Sequence, residues 1–103
     1  MSGVLGFIGF GEVAYHMSKG LEGAGWGDIV GFDAALSNDG AYADTIRSRA
    51  AEAGAVLCDS LADMLARADV VIAAVQAKYA PQAARDALPL MRSGQFYVDV
   101  TTA

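Results

Sequence analysis

Much of what this sequence is not follows from what it has little of. A single cysteine, Cys58, leaves no partner for an internal disulfide and fits a reducing compartment. Basic residues are scarce, seven Lys and Arg against twelve Asp and Glu, for a net charge of −5. They stand singly along the chain, so no basic stripe exists to hold a nucleic acid backbone. Apolar runs reach about seven residues, far short of the roughly 20 that a bilayer-spanning helix needs. No basic segment followed by an apolar stretch and a cleavage site opens the chain. A soluble cytoplasmic protein without nucleic acid or membrane partners is expected, and no metal site. There is no internal repeat, low-complexity segment or interdomain linker, and 103 residues suit one domain, 1–103.

What is present alternates regularly. Val4–Ile8 is an apolar run ending in glycines, the pattern of a buried strand. Glu12–Ala24 then carries Val13, Met17, Leu21 and Ala24 at helical spacing, and Gly23, Gly25 and Gly27 end it. Ile29–Asp33 predicts a second strand, Tyr42–Ala53 a helix stopped by Gly54, and Ala55–Cys58 a short third strand. Ser60 is an N-cap candidate for a helix over Leu61–Arg67, with Asp63 in its first turn. Val70–Val75 is the most continuous apolar run. Pro81 suits the first turn of a helix reaching about Met91, and Ser93-Gly94 turns the chain into a fifth strand, Phe96–Val100. Unbroken apolar strands separated by helices imply an α/β fold, a doubly wound, Rossmann-type parallel sheet of five strands between two helical layers.

The chemistry concentrates after the first strand. Gly9-Phe10-Gly11-Glu12-Val13-Ala14 matches G-x-G-x-x-G/A. It follows a predicted strand, opens a predicted helix, and lies 24 residues before Asp33, at the end of the next strand. Gly9 permits the tight turn, Gly11 lets backbone approach a pyrophosphate, and Ala14 lets the helix lie close to the sheet. Amides at the helix start and the helix dipole would then bind the anion. The plain alternative is a tight βα turn that binds nothing. Asp33 can accept hydrogen bonds from the ribose hydroxyls and would repel a 2′-phosphate. Ala34-Ala35-Leu36-Ser37 offers no arginine, and Arg47 and Arg49 sit far along the next helix, although one could swing back, so NAD is expected, with NADP as the alternative. Glu12 places a negative charge beside the expected pyrophosphate and is expected to point to solvent. His16 reads as a surface residue rather than a general base, and Cys58 as a small buried hydrophobe. Trp26 and Tyr42 are expected to pack loops near the second strand, with Tyr42 able to border the adenine.

The opening Gly6-Phe7-Ile8-Gly9-Phe10-Gly11-Glu12-Val13-Ala14, with Met17 and Leu21, resembles the start of the 3-hydroxyisobutyrate dehydrogenase and 6-phosphogluconate dehydrogenase superfamily, the β-hydroxyacid dehydrogenases. Ala68-Asp69-Val70-Val71-Ile72 is similar to its fourth strand, and Asp99-Val100-Thr101-Thr102 to its D-x-S-T segment. The resemblance implies hydride transfer between a nicotinamide cofactor and a β-hydroxyacid or the matching carbonyl compound. By position it implies that Val75 and Gln76 border the cofactor, where many members have Leu-Pro. Thr101 stands where a serine contacts the substrate carboxylate, and Thr102 where a threonine contacts the cofactor. The plain alternative for this pair is β-branched residues ending a strand. The family's catalytic lysine lies in a helix beyond this segment, and neither Lys19 nor Lys78 matches it.

The chain is therefore expected to be the NAD(P)-binding part of a dehydrogenase, inactive alone. The helical domain that covers the substrate, and often forms a homodimer, would lie elsewhere. An apolar edge strand over Phe96–Val100 fits an excised domain. The alternative is a free-standing module that binds or senses NAD. A methyltransferase using S-adenosylmethionine also has a glycine loop and an acid after strand two, but its loop serves no pyrophosphate.

Overall fold

The structure is a computed structural model that describes residues 3–37 and 40–100. Five strands, β1 (Val4–Ile8), β2 (Asp28–Phe32), β3 (Val56–Leu57), β4 (Val70–Ala73) and β5 (Phe96–Asp99), form one sheet in the order β3-β2-β1-β4-β5. Every pairing is parallel, and Ile8 lies level with Phe32 on one side and Ala73 on the other. The order reverses direction between β1 and β4, so the loops after these two strands diverge to opposite faces and open a crevice between them. This is the doubly wound arrangement expected from the alternation of elements.

Helices α1 (Glu12–Gly20) and α2 (Ala41–Ala53) cover one face; α3 (Leu61–Arg67) and α4 (Ala80–Ala87) cover the other. On the first face Leu5, Phe7 and Ile72 of the sheet pack with Phe10, Ala14, Ile46 and Ala50. On the second, Ile8, Val30 and Val71 meet Met64, Leu65, Ala83 and Ala87. The alternation Leu5/Phe7 against Val4/Ile8 is the period-two signature of a strand covered on both sides. Gly6 is required by this packing, since a Cβ there would lie 2.6 Å from Met64 Sδ and 2.7 Å from Ala68 Cβ.

Local signals explain most boundaries. Ser60 Oγ accepts the Asp63 amide at 3.0 Å and caps α3. Gly54, in the left-handed region at φ 74°, closes α2. Asp69 exchanges two bonds with Val4: its carboxylate accepts the Val4 amide at 2.8 Å, and its own amide donates to Val4 O at 2.7 Å. Three expectations need correction. Helix α1 ends at Gly20 rather than Ala24, because a glycine-rich turn follows. Its fully buried positions are Ala14 and Ser18, with Met17 and Leu21 partly covered and Val13 exposed. Small residues, not the large apolar ones, bring the helix onto the sheet. The last predicted helix stops at Ala87 and continues as a 3-10 turn over Leu88–Leu90, where Pro89 cannot donate the next helical bond.

The edge strand β5 buries little of itself; Phe96 is 68% exposed and Val98 42%. A polar clamp holds its start instead. Gln95 Nε2 donates to Leu65 O at 2.6 Å and Ala68 O at 2.7 Å, and Arg92 Nη1 reaches Leu65 O at 3.1 Å. These groups satisfy carbonyls at the C-terminal end of α3. Replacing Gln95 with Ala is expected to lower stability by about 1–2 kcal/mol; a chemical denaturation midpoint equal to that of the unmodified chain would disprove the clamp.

Candidate functional site

The site is built where β1 ends. Gly9 takes φ +85°, and a Cβ on it would lie 2.8 Å from Ala74 O and 3.0 Å from Val75 Cγ1. Glycine is thus demanded twice, by dihedral angle and by the close passage of the loop after β4. The Gly9 amide donates to Phe32 O at 2.7 Å, and the Ala74 amide to Ile8 O at 2.9 Å, which ties the turn to both neighbouring strands. The Phe10 ring is fully buried and meets Phe7 edge-on at 5.8 Å. Phe10 therefore faces the core, and only its main chain lies at the turn.

Gly11 precedes α1, and a Cβ built on it meets nothing within 4 Å. The first intrahelical bond of α1 runs from Tyr15 N–H to Gly11 O at 3.0 Å, and no side chain caps the helix. The amides of Glu12, Val13 and Ala14 therefore stand at an uncapped helix start beside open space, with the positive end of the dipole behind them. Val13 is 49% exposed beside this opening, while Ala14 is buried beneath it. A diphosphate is the ligand class this geometry suits.

Asp33 follows β2 and binds the turn directly. Its Oδ2 accepts the Phe10 amide at 2.9 Å and its Oδ1 the Ala35 amide at 2.9 Å. A carboxylate has about four acceptor sites, so two hydrogen bonds leave capacity for a ribose diol. Beyond it, at the carboxyl ends of β2 and β3, a cleft of about 450 Å³ is bordered by Phe32, Leu36, Ser37, Arg47 and Asp59.

The arginines of α2 have acidic neighbours. Arg49 Nη2 lies 3.6 Å from Glu12 Oε1. Arg47 borders the cleft with Ser37 and pairs with Asp44 at 3.4 Å. The Arg49–Glu12 pair follows from the packing of α2 beside α1, which spacing along one chain segment does not reveal. Glu12 does point outward, with 75% of its side chain exposed. Val75 and Gln76 lie past the end of β4, which stops at Ala73; Val75 packs against Gly9, and Gln76 is exposed. Thr101 and Thr102 lie outside the described residues. His16 is exposed against Tyr15, Cys58 is buried, Trp26 is partly buried, and Tyr42 is 61% exposed. No cluster of three or more His, Cys, Asp and Glu able to hold a metal occurs among the described residues. Among them, no helix is long and apolar enough to cross a membrane.

A glycine turn at the switch point, an uncapped helix start and an acid after the second strand together define a dinucleotide-binding Rossmann domain. The chain belongs to the family described as NADP oxidoreductase, coenzyme F420-dependent, which matches residues 4–103. Among solved structures it is 33% identical to a conserved hypothetical protein from Sinorhizobium meliloti 1021, with a TM-score of 0.85 over 98% of this chain and 33% of that one. It is 30% identical to a 3-hydroxyisobutyrate dehydrogenase from Mycobacterium tuberculosis, with a TM-score of 0.78 over 99% of this chain and 32% of that one. An imine reductase from Myxococcus stipitatus, solved with NADP+, shares the fold at 17% identity and a TM-score of 0.69, over 97% of this chain and 32% of that one. The chain spans about a third of the length of these structures. No curated protein matches it. The resemblance to the β-hydroxyacid dehydrogenase superfamily is thus confirmed, and the chain is a nicotinamide-dinucleotide-binding domain of oxidoreductase type.

The two glycines should respond differently to substitution. Gly9→Ala is expected to cost about 2–4 kcal/mol of stability, from the left-handed backbone and the contact with Ala74 O. Gly11→Val should leave the unfolding midpoint almost unchanged while weakening dinucleotide binding at least about a hundredfold, because its side chain would fill the open space before the α1 amides. Paired calorimetry and thermal unfolding test this; unchanged affinity in a folded Gly11→Val chain would remove the site.

Proposed function

We propose that the chain binds NAD in preference to NADP and is the cofactor domain of a dehydrogenase that acts on a β-hydroxyacid or the matching carbonyl compound. One observation carries the reading: uncapped amides at the start of α1 face open space at Gly11, with the Asp33 carboxylate anchored to the same turn. The amides of Glu12 and Val13 would hold the pyrophosphate, with Gly9 making the tight turn and Gly11 giving the phosphates room. Asp33 would grip the adenosine ribose through its remaining acceptor sites. Val75 and Gln76 would border the cofactor beyond the switch point, with Thr102 touching it and Thr101 taking the substrate carboxylate. When bound, the nicotinamide accepts or delivers the hydride; the protein fixes its position.

The substrate class is supported by the 3-hydroxyisobutyrate dehydrogenase among the similar structures. A further helical domain, outside this chain, would supply the catalytic lysine, cover a small-molecule substrate and form a homodimer, in a cytoplasmic enzyme. NADP is the second reading, favoured by Arg47 and Ser37 at the cleft beyond Asp33. A module that binds the dinucleotide without turnover is the alternative outside enzymology.

Titration of NAD and NADP against the chain tests the choice. NAD should bind more tightly, and Asp33→Ala should weaken it about ten- to a hundredfold while narrowing the difference from NADP. Asp33→Asn keeps the shape of the side chain but can accept only one of the Phe10 and Ala35 amides, so thermal unfolding measured beside binding separates ribose contact from loss of the turn. Tighter NADP binding to the unmodified chain would reverse the cofactor assignment. The chain by itself should not oxidise hydroxyacids, and measurable turnover would show that the lysine of a second domain is dispensable.

A further inference from the structure

Glu12 occupies an awkward place for an anion site. It is the first residue of α1, next to Gly11, and a carboxylate there opposes any phosphate drawn to the same amides. Among the described residues its ionic partner comes from α2, Arg49, with Nη2 3.6 Å from Oε1. The two members differ in freedom. Glu12 is 75% exposed, whereas Arg49 is 27% exposed, so the guanidinium is the anchored member and the carboxylate turns to meet it. Across the same helix pair, Tyr15 of α1 meets Glu52 of α2, with Lys19 and Arg49 within electrostatic range of its hydroxyl. The Tyr15 hydroxyl is raised above its ordinary value, first by desolvation and then by its hydrogen bond to Glu52, with Lys19 and Arg49 opposing the rise. Arg49 thus sits in the α1–α2 groove within electrostatic range of both Glu12 and Tyr15. An exposed pair of this kind adds little to stability, so its effect must be sought in the field at the helix start.

We propose that Arg49 is a positioning residue for phosphate recognition: it holds the Glu12 carboxylate against α2, turned from the crevice, and cancels its charge, so that a diphosphate meets the α1 amides without an opposing charge. The inference rests on the dinucleotide reading above and extends it to a residue of the second helix. It also gives that site a ligand rule: diphosphates feel Arg49, and nucleosides do not.

The test is calorimetric titration of ADP and of adenosine against the full chain and three variants, Arg49→Met, Glu12→Gln and the double variant. Arg49→Met should weaken ADP about three- to tenfold and leave adenosine unchanged. Glu12→Gln should bind ADP at least as well as the unmodified chain, and the double variant should match Glu12→Gln. The loss in Arg49→Met should shrink at high salt. A double variant as weak as Arg49→Met would make the arginine a direct phosphate ligand and overturn the proposal. Equal losses for ADP and adenosine would reduce Arg49 to a support for α2, and unchanged ADP binding in Arg49→Met would end the idea. If the unmodified chain binds neither ADP nor adenosine, the dinucleotide reading itself fails; if it binds ADP and the variants show no coupling, only the role of Arg49 falls.

Discussion

The carboxylate of Asp33 ties the first βα turn to the loop after β2, and the crevice is arranged around that tether. One oxygen holds the Phe10 amide and the other the Ala35 amide. With Gly9 N–H donating to Phe32 O, two bonds to the β2 side fix the turn at the level of the strand ends. A charged acceptor makes stronger bonds to backbone amides than a neutral one, which suits a position that must hold a glycine-rich segment in place. The same carboxylate therefore has a structural duty and a proposed binding duty.

The core supports this turn from beneath. Phe10 sends its ring down onto Phe7, so the residue between the two glycines acts as a plug. Gly31 on β2 makes room for it, since a Cβ there would lie 2.9 Å from Phe10 Cδ2. Ala14 and Ser18 bring α1 close above the sheet, at the cost of leaving Ser18 Oγ buried without a partner. Gly6 performs the matching service for α3 on the opposite face. Small residues set the layer spacing, and that spacing brings the amides of α1 to the strand ends.

Much of this was legible in the sequence because it depends on local chemistry. The alternation of apolar runs and helical spacings indicated the parallel sheet, the glycine pattern located the turn, and Ser60 and Gly54 marked helix ends. What was not legible depends on contacts between segments far apart in the chain. The inward ring of Phe10 follows from the space left by Gly31. The reach of Arg49 follows from the crossing of α1 and α2, and the burial of Ala14 and Ser18 rather than Val13 follows from how closely α1 approaches the sheet.

The turn at Gly9 has a thermodynamic corollary. Its left-handed dihedral, its wedge against Ala74 and its bond to Phe32 O are contacts of the chain with itself, so little backbone freedom remains to be lost on association. Rigid receptors spare their ligands the entropy of ordering a loop. Related nucleotides should then differ in affinity through the groups they present to the crevice, and capture should proceed without a slow rearrangement of the glycine segment.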